Sequence, residues 1–383
     1  MQYPNRLFVL AFLALGLITL SSTTRADINI GVVTSSTGPF SLVGIPQRDT
    51  AALLPDTIAG QRVRYTSIND RGDGARTLKA FTKLIEKKKV DAIIGPSNSG
   101  NAMKVIELVA RTGTPMLAPV GSPAVILPMT PDKRWVFKTS QNDDLMATAL
   151  LNHMRKTGVR SIAVVTTDNT FGKSWAKMVK KLTNVMNIEV IATEAFPRKG
   201  TLTTQQLQTI TQPGPDAILI AAPGSAAVKP QLTLKQHGYT GQIYQSHGAA
   251  MKPFLMMGGT HVEDTIIASS LMLVLDEVPD SPARQVAEKY TKDYTKFFGS
   301  APATFGANVY DAGLLLENAI PVALESHSPG TPGFRLALRD ALENTRELPG
   351  TQGVYNMSPT DHSGFDERGV VLITIKNGQW RLL

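Results

Sequence analysis

Asp91–Ser97 reads DAIIGPS and Asp216–Ser225 reads DAILIAAPGS. Each is an acid followed by an unbroken apolar run, then a break at proline and serine before a helical pattern begins. An apolar run without polar alternation suits a strand covered on both faces, the usual strand of a parallel sheet. Two such segments far apart in one chain predict two similar α/β lobes instead of one long sheet.

The same rhythm continues outward from these anchors. In the first region Ile28–Thr34, Arg62–Ile68, Asp91–Gly95 and Met116–Pro119 read as strands, with helical patterns around 75–88 and 100–112. In the second, Ser161–Thr167, Glu189–Ala195, Asp216–Ala222 and Gln242–Ser246 alternate with helical segments near 171–184, 203–210 and 225–237. This is βαβ organisation. Two more helical patterns fill 281–325, the first with Val286, Tyr290, Tyr294 and Phe297 as its stripe. A helix near 334–344 follows, then strands at Gly353–Asn356 and Val370–Ile375. Such a tail is explained if the chain crosses back between lobes.

The 383 residues are 42% apolar and 18% charged, which is folded, two-domain composition. Cysteine is absent, so disulfide scaffolds, thiolate zinc sites, iron–sulfur clusters, cysteine nucleophiles and lipid attachment at an N-terminal cysteine are all excluded. Arg6, the apolar stretch Leu7–Leu20 and Thr24-Arg25-Ala26 read as an export signal over 1–26. The stretch is shorter than the roughly 20 apolar residues of a membrane span. The expected mature protein is therefore 27–383, exported, soluble and unanchored. The formal charge of +8 is scattered. Its one dense run, Lys87-Lys88-Lys89, closes an amphipathic pattern with Leu78, Phe81, Leu84 and Ile85, and reads as a solvated helix end. No nucleic-acid partner is expected.

Catalytic signatures fail one by one. The histidines at 153, 237, 247, 261, 327 and 362 form no HExxH, and neither GxSxG nor GxGxxG occurs. Gly172-Lys173-Ser174 lacks the earlier glycine of a phosphate loop and reads as a turn opening a helix. Asp143-Asp144 reads as a helix start and Asp361-His362 as a turn. The chain is expected to be no enzyme and to carry no metal or cofactor. What remains is a set of small hydroxyl residues at strand ends. Ser97, Asn98, Ser99 and Gly100 follow one strand and Val120, Gly121 and Ser122 the next. Free N–H groups and hydroxyls there suit a carboxylate, at the strand ends where open sheets bind ligands.

The series INIGVVTSSTGPF, DAIIGPSNSG, TPMLAPVGSPA, RWVFKTSQND, IAVVTTDNTFG and GTQGVYNMSPTDHSG, in that order after an export signal, resembles the leucine/isoleucine/valine-type periplasmic substrate-binding proteins of ABC transporters. The resemblance spans essentially the whole mature chain. It implies a type I periplasmic-binding fold, α/β with two Rossmann-like lobes of parallel sheet joined by three crossings. These are expected near 139–143, 268–272 and 351–357. The N-terminal lobe would be 27–140 plus 271–352 and the C-terminal lobe 141–270 plus 353–383. It also implies a periplasmic location, hinge closure on a ligand, delivery to an inner-membrane permease, and action as a monomer.

Carried over by residue, the resemblance gives Ser99 and Ser122 hydroxyls to the ligand carboxylate, with Val120 and Gly121 beside them. Phe171 covers the ligand and Phe305 lines its side-chain pocket. The acid that neutralises an amino-acid ammonium falls at His247. A buried ammonium without a counter-charge costs several kcal/mol, so His247 points to a keto, hydroxyl or carboxylate acceptor, unless Asp168 or Asp143 replaces the acid. GPFSLVGIPQRDTAALLP (38–55), QNDDLMA (141–147) and SHGAAM (246–251) resemble a subgroup associated with aromatic carboxylates, with Phe40, Phe171 and Phe305 as ring walls. The expected ligand is an aromatic or aryl keto acid. The alternatives are a branched-chain or other amino acid, and a ligand-sensing regulator on the same fold.

Overall fold

The structure is a computed structural model and describes residues 26–383, so the expected export segment lies outside the described residues except for Ala26. Six strands form the first sheet: β1 (Ile28–Thr34), β2 (Thr57–Ile58), β3 (Gln61–Asn69), β4 (Ala92–Ile94), β5 (Met116–Ala118) and β6 (Val136–Lys138). Their order is β2-β3-β1-β4-β5-β6, parallel apart from the short β2. The second sheet takes β7 (Ser161–Thr167), β8 (Glu189–Phe196), β9 (Ala217–Ala221), β10 (Gln242–Gln245) and β11 (Ile266–Ser269). After the two-stranded ribbon β12 (Leu348–Gly350) and β13 (Gly353–Tyr355), it adds β14 (Val371–Lys376) and β15 (Gln379–Leu382) as antiparallel edge strands. Its order is β15-β14-β11-β10-β9-β7-β8.

The lobes therefore repeat one plan, β3-β1-β4-β5-β6 and β8-β7-β9-β10-β11. In each, the first strand lies between the second and third. Connections leave such a strand on opposite faces of the sheet and open a crevice at its carboxyl end. The crevices fall after β1 and β4 in one lobe and after β7 and β9 in the other.

Local chemistry fixes the elements that frame them. β1 is buried at every position but Asn29, as a central parallel strand requires. Helix α1 (Ser41–Ala51), unanticipated because it carries Pro46, packs close enough that a Cβ on Gly44 would fall 2.3 Å from the Ser35 carbonyl carbon. Helix α2 (Gly74–Thr82), capped by Asp73, buries Phe81, and the π turn after it buries Leu84 and Ile85. Leu78 is instead 44% exposed, a correction to the expected stripe: the wider turn at Lys83–Lys87 rotates later residues relative to earlier ones.

Three short helices follow in chain order: α3 (Ser99–Met103), α4 (Ile106–Thr112) and, after β6, α5 (Asp143–Lys156). Beyond them come α6 (Thr170–Met186), α7 (Thr204–Thr211), α8 (Val228–Gln236) and α9 (Lys252–Gly258). Helix α10 (Pro282–Phe298) buries Ala283, Ala287, Tyr290 and Tyr294. Phe297, expected in that stripe, is 65% exposed because it lies in the last turn of the helix, beyond the packed stretch that ends at Tyr294. Helices α11 (Thr304–Leu324) and α12 (Pro332–Glu343) pack on the first lobe, whereas Ala283, Ala287, Tyr290 and Tyr294 share the apolar cluster of the second.

The chain passes between lobes after β6, after β11 and after β13. The last passage lies later than the expected 351–357. Gly353–Tyr355 pairs with Leu348–Gly350, and Tyr355 and Met357 sit in the first lobe's core, so the chain reaches the second sheet only at Val371. Gln141 ties two passages together, donating to the Gln352 carbonyl at 3.2 Å and the Gly369 carbonyl at 2.7 Å. Beside it, buried Asp311 accepts from Thr351 N (2.7 Å) and Tyr355 Oη (3.0 Å), and Tyr355 Oη also lies 3.1 Å from the Thr139 carbonyl. Among the described residues no helix is long and apolar enough to cross a membrane.

Candidate functional site

The strand ends of the two lobes face each other across a cleft that is partly open to solvent, a place between domains where small-molecule sites often form. The first lobe supplies Phe40 and Val43 at the start of α1, Ser97–Gly100 after β4, Pro119–Gly121 after β5, Ser140 at the first crossing, and Phe305 and Asn308 from α11. The second supplies Asn169–Phe171 after β7, Pro223 after β9, and His247 and Gly248 after β10. Among the described residues no aspartate, glutamate, lysine or arginine lines the cleft, and His247 is the one titratable side chain there apart from hydroxyls.

The first wall is built from donors. Asn98 caps α3 by accepting from Asn101 N at 2.9 Å, which leaves the Ser99 and Gly100 N–H groups without an intrahelical acceptor. Asn98 Nδ2 is buried and makes no hydrogen bond. Ser97 Oγ accepts from Ser35 N at 2.9 Å, and Ser99 Oγ accepts weakly from Ser122 N at 3.4 Å, so the Ser99 hydroxyl proton stays available. Opposite, Asn169 caps α6 through Gly172 N at 3.0 Å, which brings that helix N-terminus to the cleft. Gly172 is obligatory there, since a Cβ would lie 1.9 Å from the Thr167 carbonyl oxygen. Phe171 meets the His247 ring edge-on at 5.7 Å and Trp175 at 6.1 Å, making an aromatic corner.

Behind the walls lie two buried ionisable groups, Lys138 and Asp143, that the sequence reading did not bring together. Lys138 Nζ is fully buried and donates to the Gly121 carbonyl (2.5 Å), Asn142 Oδ1 (2.5 Å) and the Gln141 carbonyl (3.3 Å). Burial pushes its pKa down, and burial raises that of Asp143, with Lys138 pulling the acid back toward its charged form. Neither carboxylate oxygen of Asp143 makes a hydrogen bond. Asp143 Oδ1 lies 3.7 Å from His247 Nε2. Burial, reinforced by the nearby Lys138 charge, holds the His247 pKa down at about 3, so this imidazole is neutral at any physiological pH. Gly121 stands directly in front: a Cβ there would fall 2.5 Å from Asp143 Oδ1 and 2.8 Å from His247 Nε2.

Phe40, Ser99, Val120, Gly121, Phe171, His247 and Phe305 all reach the cleft. Ser122 does not. It is fully buried, its Oγ lies 3.1 Å from Ser174 Oγ of the other lobe, and it caps the turn Pro123–Val125 by accepting from Ala124 N. The proline that follows sets up that capping turn and draws the hydroxyl away. Asp168 is exposed and paired with Lys173 at 3.0 Å, so it replaces no acid in the cleft. Asn308 was missed. Its Oδ1 accepts from Gln352 Nε2, leaving Nδ2 as the group with no partner in the protein. The spacing of Phe305 and Asn308, one helical turn apart, was the available signal.

Comparison with known proteins gives a consistent picture. The family model described as periplasmic binding protein matches residues 27–379. An extracellular ligand-binding receptor from Rhodopseudomonas palustris HaA2 superposes with a TM-score of 0.90 at 35% identity, covering 94% of this chain and 100% of that one. The leucine binding protein LivK from Thermotoga maritima has the same fold, with a TM-score of 0.81 at 22% identity over 93% of this chain and 97% of that one. By sequence, the Leu/Ile/Val-binding protein BraC3 of Rhizobium johnstonii is 25% identical over 191 residues, 47% of this chain and 50% of that protein. The chain thus spans only about half the length of that curated relative. These proteins are named for binding ligands, not for catalysis.

Proposed function

The chain belongs to the periplasmic binding protein family, and we propose that it captures a small carboxylate, an aromatic or aryl keto acid, and presents it to an ABC permease of the inner membrane. The observation that carries this reading is the lining: hydroxyls, amides and free N–H groups on one wall, aromatic rings beside them, and no acid anywhere in the cleft. A carboxylate finds donors there. An ammonium finds no counter-charge on the surface it would touch. In this reading Ser99, Gly100 and Gly121 hold the carboxylate, Phe40 and Phe305 flank a ring, and Phe171 closes over it. Neutral His247 pairs with a keto or hydroxyl oxygen, and Asn308 Nδ2 is a second donor. Hinge closure excludes water, and the closed monomer is what the permease engages.

One observation favours an amino-acid ligand instead. Directly behind Gly121, Asp143 carries a buried carboxylate with no hydrogen bond of good geometry, 3.7 Å from His247 Nε2, and so stands just beneath the cleft surface as a counter-charge for an amino group. The relatives named for leucine or Leu/Ile/Val binding agree with that alternative. A thermal-shift screen of refolded, ligand-stripped protein separates the two, because a ligand bound only by the folded state raises the melting temperature. Benzoate or phenylpyruvate should raise it while leucine and valine leave it unchanged. A shift with leucine alone would discard the aromatic-acid reading.

A further inference from the structure

We propose that Arg198 is a latch between the lobes, which pins the ring of Phe40 over the cleft when the lobes meet. Arg198 follows β8 in the second lobe, just after the buried Phe196. Its guanidinium carbon lies 3.7 Å from the centroid of the Phe40 ring, which belongs to the first lobe. Nη2 donates to the Pro39 carbonyl of that same first-lobe loop, and Nη1 donates to the Pro223 carbonyl of its own lobe at 3.3 Å. Phe40 and Pro223 both line the cleft. The ring is also confined by Gly72, where a Cβ would come within 2.7 Å of Phe40 Cδ2.

The electrostatics set this residue apart. Burial alone shifts its pKa, down to about 10, with no acid offsetting the loss of water, and its Nε is sealed without a partner. A desolvated guanidinium needs compensation. Here the compensation is a ring face and two carbonyls, and the ring and one carbonyl are on the other lobe. Arginine suits this role because its planar cation is weakly hydrated and stacks on aromatic faces. Once the lobes part, the cation returns to water and the ring loses its cover. The contact therefore contributes to the closed form and orients Phe40 toward whatever occupies the cleft. It depends on closure and is indifferent to whether the ligand is an aromatic acid or an amino acid.

The sequence holds no cysteine, so a label pair at Lys79→Cys and Lys181→Cys, exposed on α2 and α6, reports the lobe separation without background. Distances are measured with and without saturating benzoate, in the parent and in Arg198→Ala and Arg198→Lys. Arg198→Ala should lower the closed-to-open ratio by about tenfold, with Arg198→Lys intermediate. In a Phe40→Leu background, which removes the ring, the effect of Arg198→Ala should shrink. Superimposable distance distributions for parent and Arg198→Ala overturn the latch. So does a lower melting temperature with unchanged distances, which would mark Arg198 as a support of its own lobe. Failure of benzoate to bind counts against the proposed ligand class, while the ligand-free distances still decide the latch.

Discussion

The two walls of the cleft differ in chemistry although the sheets behind them share one strand order. The first lobe offers Ser97, Asn98, Ser99, Gly121 and Asn308, a surface of donors. The second offers Phe171 and a neutral His247 backed by Trp175, a surface that covers more than it holds. Repetition of the fold has thus been kept while the work is divided. A ligand can dock on the first wall before closure, and the second wall seals it. Such an asymmetry would let a ligand make most of its polar contacts on one lobe and gain the rest as the second covers it.

The largest test of this division is at the point where the walls touch. Gly121→Ala places a methyl 2.5 Å from Asp143 Oδ1 and 2.8 Å from His247 Nε2. It should cost about 100-fold or more in ligand affinity by calorimetry, because neither buried neighbour can retreat freely. The melting temperature should also fall, since Asp143 N–H donates to the Gly121 carbonyl, but by less than a backbone collision would cause. Gly172→Ala, by contrast, collides with backbone inside the second lobe, and should lower stability by several kcal/mol whether or not ligand is present. Normal binding by Gly121→Ala would mean that the lobes do not meet at this surface.

Next in size come two substitutions that separate the walls by chemistry. Ser99→Ala should weaken benzoate by about tenfold, the loss expected for a hydrogen bond to a charged acceptor. It should leave the weaker binding of benzamide nearly unchanged. Phe171→Ala should weaken acid and amide alike, chiefly through faster dissociation, because it removes cover and not charge recognition. Equal losses for acid and amide in Ser99→Ala would break the comparison.

Much of the two-lobe plan was legible in the chain because parallel strands buried on both faces leave an unbroken apolar run, as in Asp91–Ser97 and Asp216–Ser225. Short edge strands were less so: β6 and β15 take their places from neighbours, whereas β14 matches the strand read at Val370–Ile375 and β13, read at Gly353–Asn356, pairs within the first lobe's tail. The strand-end residues of the cleft were legible by the same logic, since an open sheet puts its ligand there. Ser122 fails because a proline after a serine specifies a local cap that competes with any ligand role. The pair Lys138 and Asp143, Asn308 and Arg198 were hidden for another reason. Asn308 and Arg198 meet partners on other elements, Gln352 and Phe40, while Lys138 and Asp143 share one segment whose spacing does not announce that both are buried, with Lys138 reaching back to Gly121.

A smaller effect belongs to the second wall. His247→Ala should weaken an aromatic acid by about fivefold or more, through loss of one neutral polar contact. Because burial and Lys138 hold its pKa at about 3, His247 itself should add no pH step above about pH 5, and any step from Asp143 or Lys138, which burial shifts to about 7 and about 8, should survive His247→Ala. A step near pH 6.5 that disappears in His247→Ala would show His247 charged on binding, and would reopen a purely ionic role for it.

The smallest effect lies at the hinge, where neither wall operates. Burial raises the Asp311 pKa to about 7, against hydrogen bonds from Thr351 and Tyr355 that lower it. An unfolded aspartate titrates near 3.9, so between about pH 4 and 7 the folded protein holds the extra proton. Stability from this group is greatest at low pH and is lost as pH rises through that window. His247 has the opposite sign: its depressed pKa makes stability fall as pH drops from about 6.5 toward 3. Asp311→Asn removes the first slope and keeps an acceptor for Thr351. Its melting temperature relative to the parent should therefore improve from pH 4.5 to pH 7.5, by an amount on the order of 1–2 kcal/mol in stability, while ligand affinity stays within about twofold because the residue lies outside the cleft. A difference from the parent that is the same at both pH values would mean that Asp311 stays ionised in the hinge and that Tyr355 and Thr351 stabilise its charge.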